Sequence, residues 1–154
     1  MRISKLLSEK SNCEIIDLPE DAYIKEAAKL MCEKKIGVIL VYQSSNNNQE
    51  KNYTGILSDS DIISSLCKYD DITKIKIYEL MTKNLIVASE NDSLQYALNV
   101  MIKNKISHLP IVSNKKLIAV ISIKDLISEL YNEDEIKIRY YGEYLSGTYQ
   151  SDIF

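Results

Sequence analysis

The stretch GILSDSD, Gly55 to Asp61, returns further along the chain as AVISIKD, Ala119 to Asp125. Each copy runs apolar, places a Ser, and three positions later an Asp, before another apolar run. That pattern reads as a strand delivering the chain into a helix, with Ser58 or Ser122 as N-cap and Asp61 or Asp125 at the third helical position. Such a box can do nothing beyond capping. A helix start entered from a strand end also presents free backbone N–H groups and the positive end of the helix dipole, which attract phosphate, while a nearby Asp accepts hydrogen bonds from a ribose diol. Two copies at matched places give the second reading weight and leave the first open.

The repeat extends beyond these seven residues. Ser122 lies 64 positions after Ser58, as Asp125 does after Asp61, whereas Ala97, Met101 and Ile106 lie 70 positions after Ala27, Met31 and Ile36. The difference of six is carried by the polar run SSNNNQEKN, Ser44 to Asn52, where the second copy has only a short turn around Ser113 to Lys116. Two tandem units of about sixty residues therefore fill the chain. The expected division is residues 1–69 for the first unit, 70–77 for a linker, 78–131 for the second unit and 132–154 for a C-terminal helix and tail.

Local signals repeat in the same order. In the first unit a short apolar turn (Ile3, Leu6, Leu7) precedes a strand over Ile15 to Leu18, closed by Pro19. Asp21 is the expected cap of a helix with Ile24, Ala27, Ala28 and Met31 on one face. Gly37 is its expected C-terminal stop. Val38 to Tyr42 and Tyr53 to Leu57 form a hairpin, and the Ser58 helix runs to near Tyr69. The second unit has a strand at Leu85 to Ala88, a helix capped by Asn91 or Asp92 and bearing Leu94, Ala97, Leu98 and Met101, and a hairpin of His108 to Val112 with Leu117 to Ser122. A helical crossover followed by a tight turn gives a parallel pair and then an antiparallel one, so each unit is a three-stranded mixed sheet. One such unit has little core of its own; two packed face to face bury both sheets and create clefts between them. From Ile123 an apolar stripe at spacings of three and four continues to Leu145, interrupted by NEDE at Asn132 to Glu135. It reads as a long helix covering its own unit or a second copy of the chain, and the tail GTYQSDIF reads as mobile.

Bulk properties exclude several classes. The chain has 154 residues, a net charge of -3 and three Cys with one His. With no concentrated basic face, nucleic-acid and acidic-membrane binding are not expected. Cys13, Cys32 and Cys67 lack paired spacing, so buried reduced thiols are expected rather than a disulfide framework or zinc site. MRISKLLSEK has no apolar core of signal-peptide length, and no run approaches the roughly 20 apolar residues of a membrane helix; a soluble, cytoplasmic protein is expected. A catalytic constellation is not apparent, since His108 is the one histidine. Asp59, Asp61, Asp70 and Asp71 read as a solvated acidic patch in preference to metal ligands.

These residues carry a resemblance to the cystathionine beta-synthase (CBS) domain, and the tandem arrangement resembles the CBS pair, or Bateman module. The second unit matches through YELMT (Tyr78 to Thr82), KISHLPIV (Lys105 to Val112) and VISIKDLI (Val120 to Ile127). The first matches through LLSEK (Leu6 to Lys10), EAAKLMCEKKIGVILV (Glu26 to Val41) and GILSDSDII (Gly55 to Ile63). The wording is similar to small stand-alone CBS-pair proteins, especially of alphaproteobacteria. The resemblance implies an α/β (α+β) fold: two pseudo-symmetric CBS repeats, each a small mixed sheet with two helices, packed face to face.

It also implies a non-catalytic regulatory module for an adenosine-type ligand (AMP, ADP, ATP, NAD or S-adenosylmethionine), with no required cofactor or metal, a homodimeric assembly, and an unidentified protein regulated in response. Carried onto this chain, one cleft uses Thr82, Val87, His108, Pro110, Ser122, Lys124 and Asp125. The pseudo-symmetric cleft uses Ser8, Ile16, Gly37, Val38, Ser58 and Asp61. Relatives often carry Arg before the motif Asp and before the His; Ser60, Lys124 and Ser107 stand there, and Ala119 replaces a Gly. Fewer guanidinium groups mean a weaker grip on polyphosphate. The alternatives are a ligand-free scaffold with degenerate clefts and, last, an enzyme acting on nucleotides.

Overall fold

The computed structural model describes residues 1–10, 14–43 and 51–132. The first unit contains α1 (Ile3–Glu9), β1 (Asp17–Pro19), α2 (Ile24–Lys34), β2 (Val38–Gln43), β3 (Asn52–Ser58) and α3 (Asp59–Leu66). A 3-10 turn at Ile72–Lys74 leads to α4 (Ile77–Leu80), β4 (Ala88–Ser89), α5 (Leu94–Asn104), β5 (His108–Ser113), β6 (Lys116–Ser122) and α6, helical over residues 123–132. The continuation of α6 expected to Leu145, the tail GTYQSDIF, Cys13 and most of the Asn-rich loop lie outside the described residues.

The fold is the expected mixed α/β pair of units, with strand orders β1-β2-β3 and β4-β5-β6. In each, the first pair is parallel and the second antiparallel. The hairpins set Val38 opposite Ser58 and His108 opposite Ser122, with register shifts at the matched places Val41/Tyr42 and Ile111/Val112. Asn114 and Lys115, both at positive φ (49° and 64°), close the second hairpin in two residues, because a turn of that hand matches the twist of its strands.

Each core follows the predicted helix spacing: Ile24, Ala27 and Met31 of α2 are buried, as are Leu94, Ala97 and Met101 of α5. The helices that open the two units are exchanged. Ile3 and Leu6 of α1 pack with Leu94, Leu109 and Ile121 of the second unit, while Ile77 and Met81 pack with Ile24, Ile39 and Leu57 of the first. Backbone bonds fix both exchanges: Ile3 N–H to Asp92 O (2.9 Å) and Leu94 N–H to Met1 O (3.1 Å), matched by Ile77 N–H to Ala22 O and Ile24 N–H to Ile75 O (both 2.9 Å). Burying one such Ile stabilises by about 1.5–3 kcal/mol, so each unit depends on a helix from the other half of the chain.

Several local expectations need correction. Helix α2 starts after Tyr23 rather than Asp21, with the Glu26 carboxylate accepting the Tyr23 N–H at 2.7 Å. Helix α5 is capped by Ser93, whose hydroxyl accepts the Tyr96 N–H at 3.1 Å, while Asp92 turns back to accept the Ser89 N–H at 2.8 Å. Gly37 is not the stop of α2. Lys35 takes the left-handed conformation there (φ 55°), and Lys105 does the same after α5 (φ 54°). Cys32 and Cys67 are exposed, not buried; Cys32 follows Met31 and so lies about 100° around α2 from its buried stripe. No helix among the described residues is long and apolar enough to cross a membrane.

Candidate ligand-binding clefts

Both Ser-x-x-Asp boxes form as read. Asp61 Oδ2 accepts the Ser58 N–H and hydroxyl, each at 2.8 Å, and Ser58 Oγ accepts the Asp61 N–H at 3.2 Å. In the second copy Asp125 Oδ2 accepts the Ser122 N–H at 2.9 Å and its hydroxyl at 2.6 Å, and the Asp125 N–H returns to Ser122 Oγ at 3.2 Å. The first helical N–H of each copy is anchored to the residue that precedes the first strand of its hairpin, Asp59 to Gly37 O and Ile123 to Ser107 O, both at 2.9 Å.

The copies then diverge. Asp59 Oδ1 accepts the Ser60 N–H at 2.8 Å, so the first turn of α3 is capped by its own side chain. Ile123 stands in that place in α6 and carries no acceptor, which leaves the Lys124 N–H without the equivalent cap and the positive end of α6 more available to an anion. On the other side, Lys10 reaches Asp125 Oδ2 at 2.7 Å. Burial pushes the Asp125 carboxyl up, but the bonds from Lys10 and Ser122 together outweigh it and hold the group below the usual carboxylate range.

Two of the cavities between the units contain the Ser–Asp boxes. The larger, about 600 Å³, brings Ser122, Lys124 and Asp125 against Ile16, Gly37 and Val38. The smaller, about 230 Å³, brings Ser58 and Asp61 against Thr82, His108 and Pro110. The grouping expected from the sequence is therefore crossed: each unit's Ser and Asp meet the strand residues of the other, because face-to-face packing lays the helix start of one unit against the sheet edge of its partner unit. His108 lines both cavities.

Two expected residues lie elsewhere. Val87 is turned to a third cavity beside Lys51 and Leu117, and Ile86, 70 positions after Ile16, lines the small cleft instead; in extended chain, adjacent side chains take opposite faces. Ser8 lines neither cleft and donates its hydroxyl to Lys5 O at 2.7 Å, because α1 continues through Glu9. Its counterpart Thr82 follows a helix that stops at Leu80, so it is extended and pairs with Ile56 through two backbone bonds of 2.9 and 3.0 Å.

Sequence reasoning missed Lys35, Lys105 and Lys10, and read Asp59, which lines the large cleft, as part of a solvated patch. Lys35 lines the large cleft and Lys105 the small one. Both hold the left-handed conformation that costs a non-Gly residue about 1–2 kcal/mol. Their signal was available, since a Lys-Ile pair recurs at 35–36 and 105–106. Lys10 had none, because its partner is fixed only by the exchanged α1. For His108, burial pushes the imidazole pKa down, with the Asp59 and Asp125 carboxylates opposing; its Nδ1 lies 3.1 Å from Ser107 Oγ. No group of three or more His, Cys, Asp or Glu positioned to hold a metal occurs among the described residues.

Two mixed-sheet units with exchanged opening helices, and a capped helix start facing each of these two clefts, define a tandem repeat module. The CBS domain model matches residues 11–68 and 77–132, and the chain belongs to the CBS domain family as a tandem pair. A 33.4 kDa protein of the ribosomal RNA operon of Thermofilum pendens is 32% identical over 111 residues, 72% of this chain and 35% of that protein. The chain thus spans about a third of that relative's length. The crystal structure of a CBS-domain containing protein from Agrobacterium tumefaciens has the same fold (TM-score 0.76, 22% identity, 82% of this chain and 91% of that one). So has the CBS domain pair of protein MJ0100, in complex with 5′-methylthioadenosine and S-adenosyl-L-methionine (TM-score 0.68, 23% identity, 85% of this chain and 99% of that one).

Proposed function

We propose that this CBS pair is a non-catalytic regulatory module that holds an adenosine-containing ligand, of AMP, ADP, ATP, NAD or S-adenosylmethionine type, between its units and signals occupancy to a partner protein. The large cleft carries this reading. Its volume of about 600 Å³ lies within the roughly 300–1,000 Å³ of small-molecule sites, and one end sets a carboxylate beside a lysine and a helix start. Asp125 is assigned to the ribose hydroxyls, Lys124, Lys35 and the α6 start to phosphate, and Ile16, Gly37 and Val38 to the nucleoside frame. The small cleft, with Ser58, Asp61, Thr82, His108 and Pro110, is the secondary site. The adenosyl ligands of the MJ0100 pair support the ligand class.

A thermal-shift panel of AMP, ADP, ATP, NAD and S-adenosylmethionine tests this. A ligand at 100 times its Kd adds about 2.7 kcal/mol, a shift of several degrees, and Asp125→Asn is expected to reduce that shift by more than it lowers the ligand-free Tm. A panel without any shift leaves the scaffold reading, which one observation favours: the Lys10 ammonium already neutralises Asp125.

Self-association belongs to the same proposal, with a second copy as occupant. Ile63 and Leu66 of α3 are 64% and 60% exposed, and Ile127 and Tyr131 of α6 are 53% and 63% exposed. Ile63 and Ile127 are pseudo-equivalent, so the module presents matched apolar ridges suited to a two-fold contact. Light scattering that finds a monomer at micromolar concentration contradicts it.

A further inference from the structure

The two clefts are not independent cavities. Val38, Ser107 and His108 line both of them and so form a shared partition. Val38 and His108 are pseudo-equivalent, each opening its hairpin strand opposite the motif Ser. The partition therefore sits where the two units meet about their pseudo-two-fold relation. Its two sides are chemically unequal: Val38 offers no polar atom, and His108 Nδ1 is already beside Ser107 Oγ at 3.1 Å. One ring nitrogen, Nε2, remains as the polar side-chain atom of the Val38–His108 pair for two cavities.

The ring lies beside the Gly37 backbone and the Asp59 carboxylate. A Cβ at Gly37 would lie 3.4 Å from His108 Cε1 and 3.2 Å from Asp59 Oδ2, so imidazole and carboxylate are packed close to the Gly37 backbone. A side chain at position 37 would therefore have to shift the Asp59 carboxylate by a few tenths of an ångström.

We propose that His108 couples the clefts negatively: a ligand that engages its imidazole in one cleft withdraws that group from the other, so the two sites fill unequally and in sequence. The inference rests on the nucleotide-binding reading above and deepens it. Two effects act in the same direction. The second ligand meets a partition whose imidazole is taken, and two phosphate-bearing ligands would face one another across the same few side chains, where a dielectric lower than that of water strengthens repulsion.

The test uses AMP as probe, followed by calorimetry and by the proton spectrum of the imidazole, which is unambiguous because His108 is the one histidine of the chain. The first AMP is expected to move the His108 resonance, and the second to bind about ten-fold or more weakly, within the usual range of site–site coupling. His108→Val, which removes the shared imidazole and places Val on both sides of the pseudo-two-fold, is expected to narrow the ratio of the two affinities. Two equal sites in the wild type, a ratio unchanged in His108→Val, a single site that His108→Val does not double, or AMP binding that leaves the imidazole resonance unmoved each overturns the proposal while leaving nucleotide binding intact. No AMP binding at all removes both. If His108→Val does not fold, the wild-type resonance and binding ratio decide.

Discussion

The Ser58–Asp61 box and the Ser122–Asp125 box share sequence and hydrogen bonds, yet their surroundings differ because the exchanged helices behind them end differently. Helix α4 stops after four residues, Ile77–Leu80, and sends Met81 and Thr82 across β3 to pair with Ile56. Helix α1 runs seven residues, Ile3–Glu9, and instead delivers Lys10 onto Asp125. The capping motif itself is indifferent to this; the length of the exchanged helix decides whether a strand bridge or a lysine stands behind each box. Repetition of a motif therefore carries local geometry from one unit to the other without carrying its environment.

The largest expected effect tests the exchange itself. Ile77→Ala and Ile3→Ala each remove a side chain that is 0% exposed, and each is expected to cost about 2–5 kcal/mol in urea unfolding. The location of the damage is the sharper measurement. Hydrogen exchange in Ile3→Ala should loosen β4 to β6 and spare β1 to β3, with the reverse pattern in Ile77→Ala. Loss of protection confined to the unit nearest in sequence would break the comparison.

Next in size is the contrast between Gly55 and Ala119, which occupy the same place in the two motifs. A Cβ at Gly55 would lie 2.6 Å from Met81 Sδ and 3.0 Å from the Thr82 carbonyl oxygen. The methionine can move but the paired backbone cannot, so Gly55→Ala is expected to destabilise by about 1–3 kcal/mol. Ala119 is 1% exposed in the unit without that strand bridge. Ala119→Gly is expected to cost less, about 0.5–1 kcal/mol, chiefly from the greater freedom of the unfolded chain. Equal penalties in thermal unfolding would mean that the α4 bridge is not what demands glycine.

This contrast also marks what the sequence could reveal. Much of what is set by residues a few positions apart reads correctly, namely both capping boxes, the hairpins, and the Ile24/Ala27/Met31 and Leu94/Ala97/Met101 stripes, whereas the exact helix ends do not: Tyr23, Ser93 and Lys35 stand where Asp21, Asn91 or Asp92, and Gly37 were expected. A departure such as Ala119 for Gly was visible, but its reason lay in Met81 and Thr82, distant in sequence. The crossed grouping of the clefts had the same origin, since Asp125 and Ile16 meet only through packing of one unit on the other. Val87 failed for a narrower reason: one step along extended chain reverses the face, and nothing local distinguishes it from Ile86.

Acid titration probes the charge asymmetry behind the boxes. The Asp125 carboxyl is held below its ordinary value in the folded state, so the folded chain takes up that proton less readily than the unfolded chain does. Its stabilisation is complete above the unfolded value, near pH 4, and is lost as pH falls through the lower folded value. Tm measured from about pH 5 to about pH 3 is expected to fall less steeply in Asp125→Asn than in the wild type. Parallel acid limbs in the two proteins would show that Asp125 does not contribute this term.

The smallest expected effect belongs to Lys10. Its ion pair with Asp125 joins side chains that are 32% and 27% exposed, so removing the lysine should cost no more than about 1 kcal/mol. The informative quantity is the change in ligand response. The contacts of Ser122 and Lys10 with Asp125 fall on Oδ2, which leaves Oδ1 as the oxygen that the nucleotide-binding proposal offers to a ribose. On this geometry Lys10 holds the carboxylate in place rather than competing for it, and preorganisation of that kind is lost when a supporting contact is removed. Lys10→Ala is therefore expected to lower the ligand-free Tm slightly and to diminish the thermal shift produced by AMP. A larger AMP shift in Lys10→Ala would mean that the lysine occupies the ligand's place, and the asymmetry between the two boxes would then separate an open cleft at Asp61 from a self-blocked one at Asp125.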